Sequence, residues 1–312
     1  MPEVRSSGHS PLRAHLGTAT VAQTSKSAVS RVSKPAKRVI SNAMPTWKSA
    51  TQQVWKPALR TGAAGRMVTM PRCAPPLATR HSSLPFVLVN MAMTADGKIA
   101  TANRAISSFG SRRDREHLLE LRATADAVMA GARTVDSAKI NLGPGPAKYR
   151  RLRINRGLDE YNLRVIISGS GSLNPEAEVF QRRFSPIIIL TTRRAGERGL
   201  KKLRALADDL IVCGEREIDF QTALKWLREK WEIKRLLCEG GGELNGALFR
   251  AGLVDELHLT ICPKMFGGRE APTIVEGSGI PKLADATQLK LKSMRRIGSE
   301  LFLVYDVQRR PS

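Results

Sequence analysis

The chain has 312 residues, 42% of them apolar and 5% aromatic, with a formal charge of +23. That supports an aliphatic core in one large domain or two ordinary ones. No apolar run reaches membrane-spanning length, and Cys73, Cys213, Cys238 and Cys262 show neither C-x-x-C nor zinc-ligand spacing, so no metal is expected.

Residues 1–80 hold thirteen Lys and Arg against a single acid, Glu3. Ser, Thr, Ala and Pro fill the remainder, with no sustained hydrophobic period. Such a stretch cannot bury enough apolar area to offset its ordering entropy. Residues 1–83 therefore read as a disordered, low-complexity basic tail. Three roles stay open: an organelle-targeting peptide, a basic arm for nucleic acid or acidic lipid, or an extension without a role, with Met67 and Met70 as later starts. Three of the cysteines fall in expected strands, as buried reduced thiols do. That places the protein in a reducing compartment, the cytoplasm, with import through the tail as the alternative.

Order begins near Leu84. Phe86–Ala92 is an apolar, β-branched run and reads as a buried strand. It leads into Asp96-Gly97, a turn pair, with Lys98 next; the plainer reading is a hairpin turn with a solvated Lys. Ser111 with Asp114 three residues on marks a helix start, and that helix carries Leu118, Leu119, Leu121 and Arg122. Asp126–Gly131 is a strand followed by a turn at Gly131–Thr134. Residues 139–161 read as loop, with Gly143–Pro146 and a basic cluster over Lys148–Arg156. Leu163–Ser168 is a strand before Gly169, and Ile187–Thr192 another before Arg193 and Arg194. A helix over Leu200–Leu206, a strand over Leu210–Cys213 and a helix from Asp219 follow.

Then comes Arg235–Arg269. A short apolar run to Cys238 meets Glu239 and the glycines Gly240, Gly241 and Gly242. A helical pattern (Leu244, Ala247, Leu248) stops at Gly252, and an apolar run over Leu257–Ile261 ends at Pro263. Glycines at a helix start leave amide groups uncovered, and these with the helix dipole favour an anion. A tight strand-to-helix connection explains a lone glycine triplet equally well. The dinucleotide fingerprint is not met, because Asn245 stands at its third glycine. Glu239 falls at the carboxyl end of its strand, where open α/β sheets place ligands. Gln288–Ile297 and Leu301–Val307 read as an antiparallel hairpin. Alternating strands and helices over 86–261 argue an α/β sheet with helices on both faces, in one domain spanning 84–312.

In order, Asn90–Ala100, Leu121–Ala123, Gly131–Thr134, Glu239–Gly242, Gly252–Glu256, Cys262–Lys264 and Phe266–Gly268 resemble the pyrimidine reductases of riboflavin biosynthesis, over about residues 85–309. The resemblance is closest to the stand-alone archaeal and fungal type; the H-x-E and P-C-x-x-C deaminase signature is absent, so no deaminase activity is expected. The resemblance implies a dihydrofolate-reductase-like fold, a mixed, mostly parallel sheet with a C-terminal antiparallel hairpin, and a homodimer. It implies NADPH-dependent reduction of the ribosyl group of a phosphoribosylamino-pyrimidine to ribityl. By the same resemblance Lys98, Asp96 and Glu239 are catalytic, and Asn90, Arg122 and Glu239 bind substrate, Arg122 at its 5′-phosphate. Gly131, Thr134, Ser168, Gly169, Gly240, Gly241, Gly242, Glu243, Leu244 and Asn245 hold the cofactor. Arg193 and Arg194 are either contacts for a 2′-phosphate or a solvated loop. The pattern fails after Val135, where Asp136–Leu142 replaces Asp-Asp-Pro and its following Arg; Asn141, Lys148 or Arg151 then stands in for the lost contact. The competing functions are a pterin or folate reductase on the same fold, and nucleic-acid binding through the tail.

Overall fold

The computed structural model describes residues 83–104, 109–137 and 139–308. The tail reading for 1–83, with Met67, Met70 and Cys73, falls outside these residues, Ser83 apart. The elements run β1 Phe86–Thr94, α1 Arg112–Arg122, β2 Ala127–Gly131, α2 Ala132–Ser137, α3 Ala147–Ile154, β3 Leu163–Ile167, α4 Glu178–Gln181, β4 Ile187–Thr191, α5 Gly196–Leu206, β5 Asp209–Val212, α6 Phe220–Lys230, β6 Arg235–Cys238, α7 Gly242–Arg250, β7 Glu256–Cys262, β8 Leu289–Ile297 and β9 Glu300–Val307. They build one nine-stranded sheet in the order β5-β4-β3-β2-β6-β1-β7-β9-β8. Seven neighbouring strands, β5 to β7, are parallel. β9 joins β7 antiparallel and pairs with β8 as the expected hairpin.

The central strands are buried on both faces, which is why they read as near-continuous apolar runs; every residue of β4 is buried. Along β1 successive side chains alternate between two cores. Val87, Val89 and Met91 pack with Leu224 and Leu227 of α6 and Leu244 and Leu248 of α7. Leu88 packs on the other side with Leu121 of α1, Val179 and Phe180 of α4 and Leu203 of α5. The outer strand β8 is exposed along nearly its whole length, and its Lys290, Lys292, Arg295 and Arg296 discourage edge-to-edge pairing.

Two helices were not expected, the single turn α4 and, more consequentially, α3. Within 139–161, α3 forms from the basic cluster. It carries no apolar period to betray it, because the side chains it buries are Tyr149 and Arg153, and a buried arginine scores as polar.

α1 starts as expected. Ser111 caps it, accepting from the Arg113 and Asp114 amides at 3.1 and 3.3 Å, and donates to Glu300 at 2.6 Å. The helix lies over β1 and β7 on a polar stripe. His117 Nε2 meets His258 Nδ1 at 3.3 Å, and His258 Nε2 meets Glu256 at 2.7 Å. Lys292 reaches the other Glu256 oxygen at 2.6 Å, and Arg235 stands 3.6 Å away. Burial pushes the Glu256 carboxyl up, but hydrogen bonds from His258 and Lys292 outweigh it and bring it to about 2. Burial first, then repulsion from His258, lowers His117 from 6.5 to about 4, with Glu120 opposing and Arg295 and Arg113 reinforcing.

An unfolded His117 takes its proton near pH 6.5, the folded one only near pH 4. Stability present above pH 6.5 is therefore lost as pH falls towards 4, by about 3 kcal/mol on linkage. His117→Gln is expected to flatten the decline in melting temperature between pH 6.5 and 5, a window above the titration of Glu256. An unchanged slope in that variant would refute the assignment.

Candidate functional site at the carboxyl edge of the sheet

The parallel strands bring their carboxyl ends to one edge, and most of the candidate residues sit there. β1 runs into a tight loop. The Thr94 amide donates to the Lys98 carbonyl at 2.9 Å, the Lys98 amide to Thr94 Oγ1 at 2.9 Å, and Gly97 takes φ +80°. That is the left-handed backbone that Asp96-Gly97 signals. The Asp96 carboxylate accepts from Thr94 Oγ1 at 2.5 Å and from the amides of Phe266 and Gly267 at 3.2 and 2.7 Å. Those bonds, Thr94's first, hold it down at about 2. Lys98 is half-buried, and its ammonium donates to the Ala271 carbonyl at 2.9 Å. The loop is thus tied to the strap 264–277 that follows β7, with a further bridge from Lys98 to Thr273.

At the end of β6, Glu239 receives Arg122 in a fork: Nε to Oε1 and Nη2 to Oε2, both 2.6 Å. Arg122 Nη1 donates to the Gly143 carbonyl at 2.6 Å, and the two side chains are 9% and 10% exposed. Val89 pairs with Cys238, the residue before Glu239, and the next residue of β1, Asn90, pairs with His258 on β7. Asn90 is buried, and its Oδ1 has no hydrogen-bond partner. A buried orphan acceptor is costly unless a ligand or a water donates to it.

The glycine corner follows. Gly240, at φ +77°, offers its carbonyl to the Gly131 amide at 2.8 Å. A side chain on Gly241 would meet Thr134 Oγ1 at 3.4 Å. Gly131, Thr134, Gly240 and Gly241 therefore share one corner. Gly241 is the N-cap of α7, and no side chain caps that helix, so its first-turn amides have no side-chain acceptor. The strap closes over the same turn: the Glu276 amide donates to the Gly242 carbonyl at 2.9 Å, and the backbone at Gly246 leaves no space for a Cβ. One strand further out, Thr192 Oγ1 donates to the Gly169 carbonyl at 2.7 Å, and the Arg194 guanidinium lies over Gly169. Arg193 instead pairs with Glu215 at 2.9 Å, on the surface.

Comparison with known proteins decides the family. The model of the RibD C-terminal domain matches residues 85–303. A 2,5-diamino-6-ribosylamino-4(3H)-pyrimidinone 5′-phosphate reductase of Methanothermobacter thermautotrophicus is 34% identical over 72% of this chain and 99% of its own length. The chain belongs to the RibD reductase family. Two solved structures share the fold. A pyrimidine reductase-like protein from Corynebacterium diphtheriae has TM-score 0.60 and 24% identity over 76% of this chain and 96% of that one. Acinetobacter baumannii RibD has TM-score 0.59 and 21% identity over 73% of this chain, which spans only 59% of that longer protein. The sheet is thus the dihydrofolate-reductase-like one of RibD reductase domains.

Several residues singled out by resemblance to the RibD reductases have other duties here. Arg122 was expected at a substrate phosphate; here three of its five N–H groups go to Glu239 and the Gly143 carbonyl. Asp96 was expected in the chemistry; its carboxylate holds the strap. Leu244 lies in the core, so only its backbone can serve a ligand. Asn245 is fully buried, with Nδ2 on the Ile274 carbonyl at 2.8 Å and Oδ1 accepting from the Cys238 thiol at 3.4 Å; its side chain ties strap to strand. The Ser168 hydroxyl donates to the Ser172 carbonyl at 3.0 Å and is buried. Glu243 pairs with Arg133 at 2.6 Å, in solvent. Two features of the site were not foreseen: the ion pair of Arg122 with Glu239, and the Ala271 carbonyl on Lys98. Nothing in a single sequence marks a contact between residues 117 positions apart.

Gly246→Ala sets a Cβ against the Glu276 carbonyl and must displace the strap. It is expected to lower stability by about 1–3 kcal/mol, as overpacking does, visible as a reduced urea midpoint. A midpoint equal to that of the unsubstituted chain would show that the strap does not press on α7.

Proposed function

We propose that this chain reduces the ribosyl side chain of a phosphoribosylamino-pyrimidine to ribityl, with NADPH as the reductant. The observation that carries the reading is the uncapped, glycine-built start of α7 directly after Glu239, beside the orphan acceptor of Asn90. The corner suits a pyrophosphate: amides at a helix N-terminus favour negative charge, and Gly131, Gly240 and Gly241 present no side chain to the approaching group. Arg194, over Gly169, supplies a cation for the 2′-phosphate that distinguishes NADPH from NADH. When bound, the nicotinamide supplies a hydride.

The chain's own residues do the rest by position and charge. Asn90 Oδ1 accepts a hydrogen bond from an amino or ring N–H of the pyrimidine. Glu239, held rigid by Arg122, keeps lone pairs for a second donor of the substrate. With the ribose ring opened, C1′ is double-bonded to nitrogen. It takes up a hydride, and the nitrogen takes up one proton, giving the secondary amine. Lys98 keeps two N–H bonds beyond the one given to Ala271, and its ammonium is the donor for that proton. The anchor on Ala271 keeps the side chain from swinging freely.

The same reading includes a homodimer. On β8, Leu289, Leu291 and Met294 are 41%, 50% and 62% exposed, an apolar strip suited to a second copy.

Purified protein is expected to oxidise NADPH when given the 2,5-diamino pyrimidinone or the deaminated uracil form, and not with dihydrofolate. Lys98→Ala is expected to lose about 10²-fold or more in kcat, the range of a positioned proton donor. Turnover of dihydrofolate with neither pyrimidine accepted would overturn the substrate assignment.

A further inference from the structure

The basic cluster Lys148–Arg156 takes no part in the chemistry above, yet it encloses one of its residues. Arg153, on α3, is 1% exposed. Its Nε donates to the Asp159 carbonyl at 2.8 Å, and its Nη1 to the carbonyls of Arg122 at 2.7 Å and Ala125 at 2.5 Å. Arg156 Nη1 adds a bond to the Ala123 carbonyl at 3.1 Å. Those carbonyls close α1, whose last residue is Arg122. The final carbonyls of a helix have no partners within it, and a cation there also suits the helix dipole.

The loop leading into α3 holds the other end of the same residue, since the Gly143 carbonyl accepts from Arg122 Nη1. One insert thus grips Arg122 twice, Gly143 at the guanidinium and Arg153 at the backbone. Arg122 in turn fixes both oxygens of Glu239 at 2.6 Å. This insert stands where the sequence departs from the family's pattern. We propose that Arg153 is a positioning residue of the reductase site, acting through Arg122 on Glu239. The inference rests on the function proposed above only where turnover is its readout. Lysine cannot replace it, because a single ammonium does not reproduce a planar fork shared among three carbonyls.

The test uses the full chain and the substitution R153K, in the unsubstituted and the E239Q backgrounds, with single-turnover NADPH oxidation and urea unfolding measured on all four proteins. R153K is expected to slow the unsubstituted enzyme about 10-fold but the E239Q enzyme by less than about 2-fold, because residues acting as one unit are non-additive. An equal loss in both backgrounds means a general structural role and overturns the proposal, as does a rate unchanged by R153K. If R153K does not fold, R156A takes its place: Arg156 is exposed and holds one carbonyl. A loss of about 3-fold, again confined to the enzyme that retains Glu239, is then expected, and equal losses overturn. If the unsubstituted protein turns over neither pyrimidine, the proposed function fails, and the unfolding measurements still decide this one. A smaller midpoint shift from R153K in E239Q than in the unsubstituted chain supports the route through Arg122, and equal shifts refute it.

Discussion

The ion pair between Arg122 and Glu239 is the constraint on which the rest of the site depends. Two charges buried together each give up hydration, and their attraction compensates only when geometry is good and remaining donors are satisfied. The geometry is good, because the fork is bidentate and the third nitrogen also finds an acceptor in the Gly143 carbonyl. Removing either partner would leave an uncompensated buried charge, a loss of about 3–5 kcal/mol in comparable cases. The pair therefore joins α1, β6 and the loop before α3 into one rigid piece at the carboxyl edge.

The other half of the site is held by backbone. The loop after β1, the strap 264–277 and the start of α7 are linked through Asp96, the Ala271 carbonyl, Asn245 and the tight approach of Glu276 to Gly242 and Gly246. Here glycine is required by space. It lets a strap lie against a helix turn and leaves the helix start without a side-chain cap. Lys98 and the glycine corner consequently share a support, although one follows β1 and the other β6.

Much of this was legible beforehand. The strands of the parallel sheet could be read as apolar runs because both their faces are buried. Ser111 with Asp114 marked the start of α1, Asp96-Gly97 marked the turn, and the three glycines after Glu239 marked the start of α7. The residues named by resemblance to the reductase family gather mostly at the carboxyl edge of the sheet. The resemblance did not show which protein groups those side chains meet, because a shared motif carries residue types and spacing but not bonding partners. Arg122 meets Glu239 and the Gly143 carbonyl, and Asp96 meets the strap, partners that no motif names. α3 was missed because its buried anchor is an arginine, which no hydrophobic period reports.

The sequence by itself determined the alternation of strands and helices, the positions of the turns and the family, since these follow from local periodicity, backbone freedom and ordered motifs. The tertiary structure alone decided which donors meet which acceptors. Arg122 reaches Glu239, Lys98 reaches Ala271 and Arg153 reaches the end of α1 only because sheet order brings distant segments within bonding distance. Hydrogen bonds are short-ranged and directional, so composition and spacing carry no trace of them until the chain has folded.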